Sequence, residues 1–338
     1  MTKKFFSILG GVYIAFCSLY SFLYSDIISN PQNAPQNAPS TAVQQPWFTG
    51  PLIVPPPLVT SAGSIETQFF IPVIVNTGIY NSDWKQQPQS KLISFVPEFF
   101  FYFGLTDYMD LQVVPEAVYS FKQGRSSLHF GDLQVGLDFQ VLPPSKNPGI
   151  PSVKFSLIET FPTGKYQKLD PDKKMTDISG TGSFISTAGL VLYKMWQIKG
   201  IHYLTATFSF DYGIPSAVDV KGFNAYGGGA KTKGRVYPGN ISTTILSFEY
   251  SLSQNWALAI DNLYVHKDKN RFLGKSSVGP DNSKKKVGNP SSEQISFAPG
   301  IEYSFSESLG IIIGTWVSGF GRNSIAFRAA AINIDWTF

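Results

Sequence analysis

Between Ser64 and Phe338, apolar and polar residues alternate with a period of two rather than the 3.6 of a helix. From Asp132 to Val141 the residues Leu133, Val135, Leu137, Phe139 and Val141 point one way, and Asp132, Gln134, Gly136, Asp138 and Gln140 the other. Thr244, Leu246, Phe248, Tyr250 and Leu252 repeat the pattern against Ser247, Glu249 and Ser251. Ile295, Phe297, Ile301, Tyr303 and Phe305 do so against Ser296, Gly300, Glu302 and Ser304. Such runs are about 10 to 13 residues long, the length a tilted strand needs to cross a bilayer. One face suits lipid and the other water. No stretch after Ser64 is apolar for the roughly 18 residues that would mark a spanning helix.

Extended along the chain, the pattern predicts strands at 64–75, 91–104, 109–121, 129–142, 152–161, 182–194, 201–213, 240–252, 255–266, 293–305, 308–319 and 326–338. Their connections alternate, short after every even-numbered strand and mostly long after every odd-numbered one. Short turns at one rim and long loops at the other are the periplasmic and extracellular ends of an outer-membrane barrel. The expected fold is therefore all-β: a twelve-stranded antiparallel transmembrane β-barrel with short periplasmic turns and long extracellular loops. With an even strand count both ends of the barrel domain fall on the periplasmic side. The last strand sets Ile332, Ile334, Trp336 and Phe338 on one face. An edge strand this apolar in a soluble sandwich would invite aggregation unless it were closed into a barrel.

The first 63 residues break the pattern. Lys3 and Lys4 precede an uncharged run from Phe5 to Tyr24, which predicts a signal peptide over 1–25, a retained membrane anchor being the alternative. Residues 26–63 are rich in Pro, Gln and Asn and read as an extended linker ahead of a barrel at 64–338. Within that linker Trp47–Ile53 is too apolar for a plain spacer, which makes it a candidate for docking on or in the barrel. Cys17, the only cysteine, falls in the leader, so the mature chain is expected to carry neither disulfide nor thiolate metal site.

Composition narrows the class. Charged residues make up 15%, aromatics 15%, and the mean hydropathy is -0.01. A bundle of membrane helices would be far more apolar, whereas a barrel needs apolar residues only at alternate positions. The net charge of +4 gives no reason to expect nucleic acid as a partner. These features place the chain in the outer membrane of a Gram-negative bacterium.

Tyr102-Phe-Gly-Leu-Thr-Asp-Tyr-Met-Asp-Leu111 resembles the strand-turn-strand signature of the outer-membrane transporters of the MetA-type phenol-degradation pathway. Gly131-Asp-Leu-Gln-Val-Gly136, Phe161-Pro-Thr-Gly-Lys165 and Gly180-Thr-Gly-Ser183 are similar to further pieces of that family. The resemblance spans roughly 97–190 and weakens toward the C-terminus. It implies a barrel with at most a transport role and names no substrate. The terminal Trp336 and Phe338 likewise resemble the C-terminal assembly signal read by the barrel-assembly machinery during biogenesis.

A catalytic reading finds little to stand on. A serine nucleophile needs a base within hydrogen-bond reach. His202 and His266 have no serine two residues away, Ser127 precedes His129 by two but falls in the expected gap at 122–128 rather than on a strand, and all three histidines fall at expected rims. No catalytic, cofactor or metal site is expected. Fifteen of the 27 Lys and Arg residues lie in the loops at 162–181, 214–239 and 267–292, where they would meet outer-membrane lipid and lipopolysaccharide or simply keep the loops solvated.

The water-facing register is more informative. It places Glu66, Glu98, Glu116, Asp132, Asp138, Asp211, Glu249, Asp261, Glu302 and Asp335 in the lumen, against Lys154 as the one inward base. An acidic lumen would favour cations. The competing reading is structural, with carboxylates bonded to neighbouring hydroxyls or to a docked N-terminal segment. Pairing across the turn at 105–108 is expected to set 97 opposite 116 and 98 opposite 115, with Pro97 and Pro115 weakening the seam between their strands. Such a seam would offer apolar solutes a sideways exit. The reading reached is a passive channel for small solutes, with a non-conducting display or structural barrel as the alternative and a hydrolase as the least supported.

Overall fold

The computed structural model describes residues 45–147, 149–278 and 283–338. The expected signal peptide, Cys17 and the first part of the linker lie outside them. Twelve staves form the wall, as alternation requires: β1 (Ile65–Tyr80), β2 (Ile93–Phe95 and Glu98–Thr106), β3 (Met109–Val114 and Ala117–Lys122), β4 (Arg125–Phe130 and Leu133–Leu142), β5 (Ser152–Phe161) and β6 (Ile185–Lys199) make one half. The other half is β7 (His202–Pro215), β8 (Ile241–Ser251), β9 (Trp256–Lys267), β10 (Ser292–Ser304), β11 (Leu309–Arg322) and β12 (Ile325–Thr337). Each stave pairs antiparallel with the next, and β12 returns to β1 from Glu66↔Thr337 to Ile79↔Ile325. Closure removes the apolar edge that β12 would otherwise present.

Burial is inverted relative to a soluble domain. Ile260, Ile301, Ile313 and Ile332 are exposed on the outside, while Thr205, Ser247, Asp261 and Glu302 are wholly buried within. Aromatic pairs mark the short-turn end of the outer face: Trp256–Tyr303 at 4.7 Å, Tyr303–Phe305 at 4.9 Å and Trp336–Phe338 at 5.1 Å. An apolar belt bounded by aromatics is what a bilayer selects for.

Four sequence expectations are corrected. A bulge at Leu105 moves the β2/β3 register by one residue, so that Gly104 faces Asp110 and Glu98 faces Glu116. Pro97 and Pro115 therefore flank the glutamate pair instead of facing it. The remaining bonds are Phe99 N–H to Pro115 O and Ala117 N–H to Pro97 O, both 3.1 Å, and each proline removes the reciprocal one. Second, the gap expected at 122–128 is a two-residue turn, Gln123 (φ 47°) and Gly124 (φ 77°), whose left-handed pair suits a tight hairpin. Third, several staves are longer than expected, with β1 reaching Tyr80, β6 Lys199 and β11 Arg322. Fourth, the loops after β7 and β9 hold a three-stranded sheet of Val218–Lys221, Lys233–Tyr237 and Arg271–Lys275. Val218, Val220 and Val236 form its core with Tyr166, Tyr226, Phe272 and Val287.

The breaks in β2, β3 and β4 lie side by side, at 96–97, 115–116 and 131–132. Beyond them the Arg125–Phe130 piece of β4 ends the sheet. Its free edge is covered by side chains of the 162–184 loop. Ser179 Oγ donates to Phe130 O (2.8 Å), Thr163 Oγ1 to Gly131 O (2.7 Å) and Lys173 Nζ to Ser126 O (3.1 Å).

Candidate functional site

Residues 45–63 lie inside the barrel. They enter at the short turn between β8 and β9, where Trp47 N–H donates to Gln254 O (3.0 Å) and Gln254 Nε2 to Gln45 O (2.6 Å). They leave beside the turn between β2 and β3, where Gly63 N–H donates to Gly104 O (2.9 Å). The segment is thus a loop that rises from the periplasmic rim and returns to it. It has no regular structure, so its backbone donors must find partners on the wall. Pro51, Pro55, Pro56 and Pro57 reduce that demand by carrying no N–H.

Carboxylates supply the partners. Glu302 accepts from the Thr49 N–H, and Thr49 Oγ1 meets Ser304 Oγ at 3.2 Å. At the apex Asp261 accepts from Ile53 N–H at 3.0 Å. On the way down, Gln140 Oε1 accepts from Val59 N–H (3.1 Å), Asp110 from Thr60 N–H (2.7 Å) and Glu66 from Thr60 Oγ1 (3.3 Å). Hydrogen bonds to charged groups are worth about 1.5–3 kcal/mol each. Two wall glycines let the segment approach: a Cβ on Gly104 would strike Ser61 O, and one on Gly310 would strike Thr49 Oγ1.

The apex is apolar. Leu52 packs with Phe70, Ala298 and Ile312, and Val54 with Ile245 and Leu263, while Ile53 and Trp316 touch both groups. Leu52 and Val54 are 3% and 7% exposed, so this part of the Pro-rich segment belongs to the core. Two cavities lie within the barrel. On the loop side a cavity of about 480 Å³ is lined by Glu116, Asp132, Gln134, Thr187 and Asp211 together with Ile178 of the 162–184 loop. On the periplasmic side one of about 330 Å³ lies between the segment and the wall, with Glu66, Tyr193, Glu249, Asn333 and Asp335 among its lining.

The remaining inward residues are brought together in pairs. Lys154 Nζ and Asp138 are 3.3 Å apart with both side chains 1% exposed, and Gln112 also donates to Asp138 (3.3 Å). Gln68 Nε2 bridges Glu66 (3.0 Å) and Asp335 (3.3 Å). Glu249 accepts from Thr205 Oγ1 (2.7 Å) and reaches Glu302 across the small Ala257 and Ala259 of β9. Asp211 takes Ser209 Oγ at 3.3 Å. Asp132 holds the loop over the mouth, accepting from Gly164 N–H (2.9 Å) and Thr181 N–H (2.8 Å). Asp110 and Gln140 were missed as anchors, although both share the even-numbered register of Glu116 and Asp138. The histidines do not converge: His202 Nδ1 lies 3.0 Å from Ser251 O, and His266 sits between Asp268 and Glu293 at the other rim.

Loop electrostatics are local. Burial works against the charged form of Asp177, but Lys165 Nζ (2.8 Å) and the Asp170 N–H (3.0 Å) outweigh it and hold the carboxyl below its ordinary range. Asp219 is lowered by its two 2.8 Å bonds from Arg235.

Comparison with known proteins is informative on fold alone. No protein-family model and no curated protein sequence matches the chain. Among solved structures, an outer membrane channel from Pseudomonas putida F1 is similar with a TM-score of 0.65 at 15% identity, covering 84% of this chain and 100% of that one. The NanC porin gives a TM-score of 0.40 at 9% identity, covering 79% of this chain and 98% of that one. The likeness to the first is one of fold alone, and the fold of this chain is a closed twelve-stranded antiparallel barrel.

Proposed function

We propose that the protein is an outer-membrane channel for the passive passage of small solutes, closed at rest by its own residues 45–63. The observation that carries this is the mode of attachment: an irregular segment held in a polar-lined barrel by side-chain acceptors, with donors and acceptors matched along its path. A lumen meant only as a filled core needs no removable piece, since wall side chains fill small barrels by themselves. The partners that go with this reading are the surrounding outer-membrane lipid and lipopolysaccharide, the assembly machinery during biogenesis, and the solute. The motif resemblance at 97–190 supports a transporter of the MetA-pathway type.

The second reading, a non-conducting display or structural barrel, has one observation in its favour. The apolar cluster of Leu52, Ile53, Val54, Phe70, Ile312 and Trp316 packs the segment against the wall as part of the core. Conductance in planar bilayers separates the two. Wild type should be silent or flicker, and an internal deletion of residues 47–60 should open a steady pore. A deletion variant that remains a folded barrel yet never conducts would leave the display reading.

A further inference from the structure

The cavity beside the plug has a chemical bias that plug-holding does not explain. Its lining includes the carboxyl groups of Glu66, Glu249 and Asp335, with Glu307 at the mouth, and no lysine, arginine or histidine. Lys154, the inward base, is committed to Asp138. The plug side adds to the imbalance. Pro51, Pro55, Pro56 and Pro57 line the cavity and present carbonyl oxygens without N–H groups. One oxygen on each of two wall side chains lacks a hydrogen-bond partner among the described residues: Asn333 Oδ1, on a residue 6% exposed, and Glu249 Oε1, on a residue 3% exposed whose other oxygen accepts from Thr205 Oγ1. Buried acceptors without donors are costly, and the cost is greatest for carboxylates. The Gln68 amide, one of the lining donors, is already divided between Glu66 and Asp335.

A cavity so lined is complementary to a guest that is all donor and positively charged. We infer that the space between the plug and the wall at the periplasmic end is a binding site for a small organic cation bearing primary ammonium groups. Each ammonium offers three N–H donors and no acceptor. The volume of about 330 Å³ is enough for roughly ten waters at about 30 Å³ each, so it admits a short diamine with part of its hydration. Ser306 and Ser308, from the turn between β10 and β11, are part of the lining, so the site opens at the periplasmic rim. Because one wall of the cavity is the plug itself, a bound cation would bridge plug and barrel. The site stands on its own geometry. That it names the class of solute carried rests on the channel reading.

The test uses the full chain, purified in detergent as a barrel whose migration on gels changes with boiling. It is titrated calorimetrically at low ionic strength with putrescine, with the uncharged 1,4-butanediol and the anionic succinate as comparators. Putrescine alone should bind saturably, one per barrel, and affinity should fall by about tenfold or more in Glu249→Gln and in Asp335→Asn. Asp83→Asn, in the exposed loop after β1 and outside the cavity, should bind as wild type does. No saturable binding, equal binding of butanediol, wild-type affinity in both inner variants, or an equal loss in Asp83→Asn would each overturn the site. Binding that survives while the plug-deleted protein fails to conduct would refute the channel and leave the site standing.

Discussion

Ile65 and Phe338 exchange backbone hydrogen bonds, Ile65 N–H to Phe338 O at 2.8 Å and Phe338 N–H to Ile65 O at 2.9 Å. The last residue of the chain therefore forms the final rung of the seam that closes β12 onto β1. Its side chain points outward, 59% exposed, beside Trp336. Two roles meet at one position, and they are separable. Deleting Phe338 removes the rung and the aromatic together. Phe338→Asp keeps the rung and places a charge at the membrane interface, where the cost is small. Deletion should lower the yield of heat-modifiable barrel and its urea midpoint more than Phe338→Asp does; equal loss would assign the whole effect to the side chain.

Asp261 anchors the apex of the plug through the Ile53 N–H, and Asp261→Ala should release it. Losing a charge-assisted bond worth about 1.5–3 kcal/mol is enough to shift a marginal closed state by about tenfold or more. The readout is open probability in planar bilayers. Gly310→Ala should act in the same direction by displacing Thr49, although it removes no hydrogen-bonding group. Closed-state behaviour unchanged in both variants would mean that the segment is not the gate.

Lys154 and Asp138 form the most deeply buried ion pair in the lumen, each side chain 1% exposed. Removing one partner strands the other charge, which costs about 3–5 kcal/mol, whereas replacing both with apolar residues of similar size is often neutral. Asp138→Ala should therefore depress the unfolding midpoint strongly, and Lys154→Met with Asp138→Leu should restore most of it. Failure of the double variant to recover would mean that Gln112, left without its acceptor, contributes as much as the pair.

What the sequence made legible follows from periodicity. Alternation located all twelve staves because each must be apolar on one side and polar on the other, and the same register separated Glu249 and Asp261 from Phe248 and Ile260. It failed where period two carries no information. The Val218–Lys221, Lys233–Tyr237 and Arg271–Lys275 sheet stands above the bilayer, and its short strands are interrupted by glycine and lysine. The β2/β3 register turned on one bulged residue, Leu105, which shifts every facing partner by one. Leu52 lies within the Trp47–Ile53 stretch singled out for docking, whereas Val54 lies just beyond it, where proline density reads as spacer unless the chain has a wall to lean on.

Asp177 gives the 162–184 loop a pH limit. Its carboxyl is held below the ordinary range despite burial, chiefly through Lys165 and the Asp170 amide. A group with a depressed folded pKa contributes stability above its unfolded value, about 3.9, and loses it as pH falls through the folded value. The loop should therefore resist limited proteolysis unchanged from neutral pH down to about 5 and become cleavable only below about 4. Asp177→Asn should be cleavable throughout.

The facing glutamates Glu98 and Glu116 supply the last prediction. They lie directly opposite each other between two prolines, and Glu116 lines the loop-side cavity with Asp132 and Asp211. Carboxylates grouped in a narrow aqueous path with low-dielectric walls concentrate field lines and draw cations. Once the plug is removed, reversal potentials under a salt gradient should show cation preference. Glu98→Gln combined with Glu116→Gln should reduce that preference without abolishing it, because Asp132 and Asp211 remain. Asp132 also pins the 162–184 loop through Gly164 and Thr181, so Asp132→Asn should change both selectivity and loop protection, whereas the glutamate double variant should change selectivity alone. Anion preference in the open barrel, or selectivity unmoved by the double variant, would remove the facing pair from the conduction path.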